Sequence, residues 1–137
     1  MGQHSVYLMF NGNCREALEF YAKSLGGNIE FMQTYGEAPM DSPAEQKDKI
    51  MHATLDLGGF KVMASDSDGK RNVTFGDNFS IALDFKSDGD LERAFNAMHT
   101  GGQVTMPLQD TFWGAKFGMC TDKFGVNWMF NYDKPQQ

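Results

Sequence analysis

Three histidines, two cysteines and ten methionines are the side chains of this 137-residue chain whose types could do more than pack or pair charges. His52, with His4 and a carboxylate such as Asp66, would be enough donors for a divalent ion if folding brought them together. His4 lies two residues before Val6, so on a continuous strand the two share a face. The plainer expectation is a terminal His4 and a strand His52 that hydrogen-bonds a neighbour. His99 falls in the last turn of an expected helix, where a cation suits the helix dipole. Cys14 opens a helix, a place where thiol pKa falls and a thiolate can form. It also lies on an apolar stripe, and Glu16 opposes the thiolate, so core packing is expected. Cys120, in a strand, reads the same way. Neither cysteine sits in a Cys-x-x-Cys pair, which points to free thiols in a reducing compartment. Three scattered histidines give no basis for a Ser-His-Asp arrangement.

These residues must be held by one domain of ordinary composition, with 41% hydrophobic and 22% charged residues. The net charge is -6, and no basic run exists. Nucleic acid and anionic membranes are therefore excluded as expected partners. No apolar stretch approaches the roughly 20 residues of a membrane span. The polar start, Met1 to His4, has no signal-peptide pattern, and the expected location is the cytoplasm.

Val6 to Phe10 reads as a strand. Asn13 is positioned as a helix cap, with Glu16 in capping-box spacing. A helix follows, with apolar Cys14, Ala17, Leu18, Tyr21 and Leu25 on one stripe, and Gly26-Gly27 ends it. Ile29 to Tyr35 is a strand, and 36–49 a long polar loop of a length that is often functional. Ile50 to Leu57 and Phe60 to Ser65 form a hairpin about Gly58-Gly59. After a polar linker, 66–78, the order begins again. Phe79 to Phe85 is a strand. Ser87 or Asp88 caps a helix with Leu91, Ala94, Phe95 and Met98 on its stripe, and Gly101-Gly102 ends it. Gln103 to Met106, Phe117 to Thr121 and Val126 to Asn131 are the remaining strands.

The Gly-Gly pairs are 75 residues apart, while Gly59 and Gly125, like Met63 and Met129, are 66 apart. The chain thus states strand, capped helix and three strands twice, over 1–68 and 69–137. The fold class expected is α+β: one domain, 1–137, of two βαβββ modules that together form a curved mixed sheet with a cleft. Each half alone is too small for a good core, so the halves are expected to pair.

The run Phe10-Asn11-Gly12-Asn13-Cys14-Arg15-Glu16-Ala17-Leu18-Glu19-Phe20-Tyr21 carries a family resemblance. So do Met51-His52-Ala53, Met63-Ala64-Ser65-Asp66, Phe112-Trp113-Gly114 and Asp122-Lys123-Phe124-Gly125-Val126-Asn127-Trp128. With them the chain resembles, from end to end, the vicinal-oxygen-chelate superfamily of glyoxalases, bleomycin-resistance proteins and extradiol dioxygenases. The resemblance is closer to its PhnB-like branch, often labelled demethylubiquinone methyltransferase-like. The methyltransferase label finds no glycine-rich strand-to-helix turn of a parallel sheet to support it.

The resemblance implies a cleft metal held by His and Glu from four strands. Counting from shared landmarks puts those positions at Val6, Met63, Ser80 and Met129. None is His or Glu, so no metal and no other cofactor is expected. Flexible, polarizable Met63 and Met129 suit an adaptable apolar pocket instead. Strand alternation then places Val6 and Leu8 in the cleft, with Tyr7 and Met9 towards a helix. Trp128 and Phe130 pack under a helix. His52, Ser80, Trp113 and Phe117 complete the expected ligand-binding set, with Trp113 and the 36–49 loop as rim and lid. The expected function is small-molecule binding, the ligand being apolar or aromatic. The alternative is a glyoxalase-like lyase, isomerase or other enzyme whose metal site is unorthodox or absent. Whether the chain is an enzyme stays open at this point. The resemblance also implies a homodimer.

Overall fold

A computed structural model describes residues 1–136. The chain divides into two compact units, Met1–Thr74 and Phe75–Gln137. The division falls six residues later than the sequence repeat suggests. The added residues belong to the first unit because Asn11 takes both backbone groups of Val73: its Nδ2 donates to Val73 O (2.9 Å) and its Oδ1 accepts from Val73 N (2.8 Å).

The first unit contains β1 (Val6–Phe10), α1 (Cys14–Leu25), β2 (Asn28–Thr34), β3 (Ile50–Asp56) and β4 (Lys61–Asp66). The second contains β5 (Ile81–Phe85), α2 (Asp88–His99), β6 (Gln103–Asp110), β7 (Ala115–Thr121) and β8 (Asn127–Asp133). Each unit has an open four-stranded mixed sheet, ordered β1-β4-β3-β2 and β5-β8-β7-β6. In each, the first strand pairs parallel with the last, and the other neighbours are antiparallel. The α+β class and the twofold βαβββ order agree with the sequence.

Both helices bury the stripes that their spacing implies: Cys14, Ala17, Leu18 and Tyr21 on α1, and Leu91, Ala94, Phe95 and Met98 on α2. The Gly-Gly pairs end them with a division of labour. Gly26 and Gly101 have φ of 73° and 77°, the left-handed region that glycine enters without steric cost. Gly27 and Gly102 are needed for space. A Cβ on Gly27 would stand 2.9 Å from Asp56 O, and one on Gly102 only 2.2 Å from Thr121 O.

Three local expectations are corrected. Asn13 makes no side-chain cap on α1. Strand β2 ends at Thr34, and the segment that follows holds two single-turn 3-10 helices, Tyr35–Glu37 and Ala44–Gln46, the first closed by a capping box between Thr34 and Glu37. Strand β6 runs on through Pro107 to Asp110. It lies at the sheet edge, where a residue without an N–H is tolerated, and its register with β7 slips on either side of Met106.

Candidate functional site

Which face of each strand meets its helix follows from burial and pairing. In the first unit Asp66, Ala64 and Val62 alternate along β4 and are buried, and Asp66 reaches the start of α1. In β1, Leu8 and Phe10 are 5% and 0% exposed and pair beside Ala64 and Asp66. Val6 pairs with Val62 on that same face. Leu8 therefore belongs to the helix-packed core, half-buried Val6 faces the same side, and the residues turned the other way are Tyr7 and Met9. This reverses the orientation expected from sequence for β1. The strand VYLMF is apolar throughout, so it carries no alternation to fix its parity. Counting back through the Asn11-Gly12-Asn13 turn then misses by one residue.

Met63 and Met129 are placed as expected, on the face away from the helix, and both are half-buried. Each lies in a row across its sheet. In the first unit the row is Tyr7, Met63, Thr54 and Phe31 on β1, β4, β3 and β2. In the second it is Ala82, Met129, Met119 and Met106 on β5, β8, β7 and β6. The two rows correspond position by position. Tyr7 and Ala82 keep the 75-residue spacing of the Gly-Gly pairs, and Met63 and Met129 the 66-residue spacing of the hairpins. Sequence reasoning found Met63 and Met129 and missed their neighbours. The row that passes through Met129 meets β5 at Ala82, whereas Ser80 lies just before β5 begins and is half-buried.

His52 lies on the same face of the first sheet, diagonal to that row. Its ring stacks on the Tyr7 ring at 5.7 Å and lies tilted by 45° to the Phe31 ring at 6.0 Å. Its Nδ1 shares a hydrogen bond of 3.1 Å with the Tyr7 hydroxyl. Tyr7 and Phe31 are 45% and 47% exposed, so this aromatic cluster is open to solvent. Below it, Lys61 Nζ meets Glu30 Oε2 at 3.0 Å, and the pairing holds the ammonium pKa above its ordinary value.

On the second sheet the corresponding face is more polar around its methionines. Phe117 stands beside Asn131, whose Nδ2 donates to Asp84 Oδ1 (3.0 Å) and Asp133 Oδ1 (3.1 Å). Asn127 accepts from the Thr121 hydroxyl at 2.8 Å and donates to the carbonyls of Gly76 and Phe79. Trp128 and Phe130 are fully buried on the opposite side, as the sequence implies. Trp113 is 61% exposed in the β6–β7 turn, edge-on to Phe112 at 5.0 Å.

The structure does not bring His4, His52 and Asp66 together. His4 is exposed and makes a long hydrogen bond, 3.4 Å, with Gly2 O. Asp66 is 2% exposed and is spent on the backbone: Oδ1 accepts from Gly12 N and Cys14 N, and Oδ2 from Ile50 N, each at 2.9 Å. Among the described residues no group of three or more His, Cys, Asp and Glu side chains is placed to hold an ion. At the row positions Tyr7, Met63, Ala82 and Met129 the side chains are a phenol, two thioethers and a methyl group. That donor set does not fit a hard divalent metal.

The two thiols are buried and free. Burial, reinforced by Asp66, pushes the Cys14 thiol up to about 12, although Arg15 pulls the other way. Burial and Asp122 push the Cys120 thiol up to about 12. Neither is a nucleophile near neutral pH. Among the described residues no helix is long and apolar enough to cross a membrane.

The profile of a family described as 3-demethylubiquinone-9 3-methyltransferase matches residues 3–130. Protein YjdN of Escherichia coli is 32% identical over 142 aligned positions, covering 96% of each chain. Protein PA1353 of Pseudomonas aeruginosa has a crystal structure that superposes with a TM-score of 0.89 at 48% identity, covering 98% of this chain and all of that one. A glyoxylase/bleomycin resistance protein/dioxygenase domain from Frankia shares the fold, with a TM-score of 0.68 at 15% identity over 100% of this chain and 95% of that one. The two βαβββ units, their corresponding rows and these likenesses agree: the chain belongs to the PhnB-like family described as 3-demethylubiquinone-9 3-methyltransferase, and it shares its fold with a glyoxylase/bleomycin resistance protein/dioxygenase domain.

Proposed function

We propose that this chain is a cytoplasmic, homodimeric protein that binds a small, largely apolar or aromatic molecule on the sheet faces turned away from its helices, without the superfamily's metal. The observation that carries this reading is the pair of corresponding rows, Tyr7-Met63-Thr54-Phe31 and Ala82-Met129-Met119-Met106. Aromatic and thioether groups at those positions offer polarizable, deformable contact area, with a few polar groups to orient a ligand. His52 and the two asparagines of β8 are those orienting groups, and Phe117 adds apolar wall. Trp113 forms the rim. The family description speaks of methyl transfer, but each sheet has one parallel strand pair and no glycine-rich strand-to-helix turn of the kind that holds a methyl-donor nucleoside.

A thermal-shift screen of small aromatic compounds, with and without divalent ions, tests the proposal. Stabilisation that does not depend on the ion supports it. Stoichiometric zinc, nickel, iron or manganese in protein purified without chelator overturns the metal-free part. Sedimentation at micromolar concentration tests the dimer, and a mass near the 15.3 kDa of one chain overturns it.

One observation favours a second reading, a lyase or isomerase of the glyoxalase kind. The His52 imidazole and the Tyr7 hydroxyl, hydrogen-bonded on an open face, form a pair able to move a proton. Turnover of a 2-oxoaldehyde hemithioacetal by the wild type, lost in His52→Gln, would favour that reading over simple binding.

A further inference from the structure

We propose that the first unit carries an anion subsite beside its aromatic row, so that the ligand is an amphiphile with an apolar body and a carboxylate or phosphate at one end. This rests on the binding reading above and names the class of molecule bound.

The observations lie at the C-terminal ends of β1 and β4. A cavity of about 420 Å³ is lined there by Met9, Tyr35, Ser65, Ser67, Lys70 and Arg71, with Asp66 and Asp68. Met9 and Ser65 are paired neighbours, each two residues along from Tyr7 and Met63. The cavity therefore continues the face that holds the aromatic row, since residues two apart on a strand share a side.

Its polar groups are unevenly used. Ser65 is 6% exposed, and its hydroxyl makes no hydrogen bond to another described residue. A hydroxyl at the wall of the cavity, open to it, can donate to a group that enters. Among the described residues neither Lys70 nor Arg71 has a carboxylate within ion-pair distance, although the chain has 18 acidic residues against 12 basic ones. Among the described residues the Arg71 guanidinium has as acceptor only the Met9 thioether, a weak one, 4.0 Å from Nη2. The Asp66 carboxylate does not compete for these cations, because its oxygens are turned to the other face and take three backbone amides. Asp68 is the one opposing charge, and its Oδ1 accepts from Lys70 N at 2.9 Å. Two cations without an ion-pair partner among the described residues, and a serine hydroxyl, beside an apolar row make a receptor for an anionic group.

Three probes with one aromatic body separate the subsite from the row: 2-naphthol, 2-naphthoate and 2-naphthyl phosphate, titrated calorimetrically at pH 7 and low salt. The anions are expected to bind at least about tenfold more tightly than the alcohol, the gain of a charge-assisted contact. The Lys70→Gln/Arg71→Gln double variant, altered only at exposed positions, should lose that gain and bind 2-naphthol as before. Asp68→Asn keeps the acceptor for Lys70 N and should bind the anions more tightly. A gain for only one of the two anions identifies the group as carboxylate or phosphate. Anions that bind no better than the alcohol, or an advantage that survives in the double variant, overturn the subsite and leave the binding reading standing. Failure of all three probes overturns both.

Discussion

Helix α1 and helix α2 close equivalent positions in the two units, yet their first turns are held by partners of very different reach. In the second unit the hydroxyl of Ser87, the residue before the helix, accepts from Asp90 N at 3.1 Å. In the first unit the adjacent Asn13 does nothing of the kind, and Asp66 at the end of β4 takes the amides of Gly12 and Cys14. The hairpins show the converse. Asp56 at the β3–β4 turn is half-buried and accepts from Gly58 N. Its counterpart Asp122, 66 residues on, is 3% exposed and accepts from Phe124 N, Val126 N and, at 2.8 Å, the Trp128 indole. Each unit thus buries one carboxylate that takes three N–H donors, at opposite ends of the same architecture. A repeat can keep its geometry while moving the buried polar group that fixes it, provided the group's hydrogen bonds are complete wherever it lies.

The strongest way to break the second unit is Trp128→Ala, which empties a fully buried site and removes the indole that donates to Asp122 Oδ2. We expect a loss of about 4 kcal/mol in denaturant unfolding. A loss under about 1 kcal/mol would mean that the indole is not the keystone of that core. Asp66→Ala comes next. It orphans three backbone amides in the first unit and should cost roughly 3 kcal/mol, more than any cap at α2. The paired variants Ser87→Ala and Asn13→Ala sharpen the contrast between caps. The first should cost about 1 kcal/mol, and the second should stay within roughly 0.5 kcal/mol, because Asn13 makes no cap to lose. Equal costs would show that the two helices start alike after all. Smallest for stability is Trp113→Ala, expected within about 0.5 kcal/mol of wild type at an exposed turn. If Trp113 is a rim, that variant should nevertheless lose the thermal stabilisation given by an aromatic ligand.

Much of this was readable in the residues. The Gly-Gly pairs, the helix stripes and the parity of β8 were legible because in β8 the two largest aromatics alternate with asparagine and methionine. In β1 every residue is apolar, so parity could not be read and Val6 and Leu8 were assigned to the wrong face. The methionine and aromatic rows were only half visible. The 66-residue repeat marks Met63 and Met129, but Met106, Met119 and Phe31 enter through strand register, and the slips in β2 and β6 hide it from counting. The role of Asp66 had no local signal, since its donors lie 54, 52 and 16 residues away in the chain. Asn13 had the right type in the right place, but it makes no cap, and Asp66 instead takes the amides on either side of it, Gly12 N and Cys14 N.

The long reach of Asp66 also bears on the order in which the chain organises itself. The first turn of α2 carries its own acceptor and can be secured as soon as 87–90 coil up, a local closure of the fastest kind. The first turn of α1 gains its acceptor only when β4 has come alongside β1 and closed a loop of some fifty residues, whose entropy must be met beforehand. In kinetic terms, truncating Ser87 should slow folding, whereas truncating Asp66 should chiefly hasten unfolding. The two halves of the repeat then share a final architecture and reach it by different first contacts.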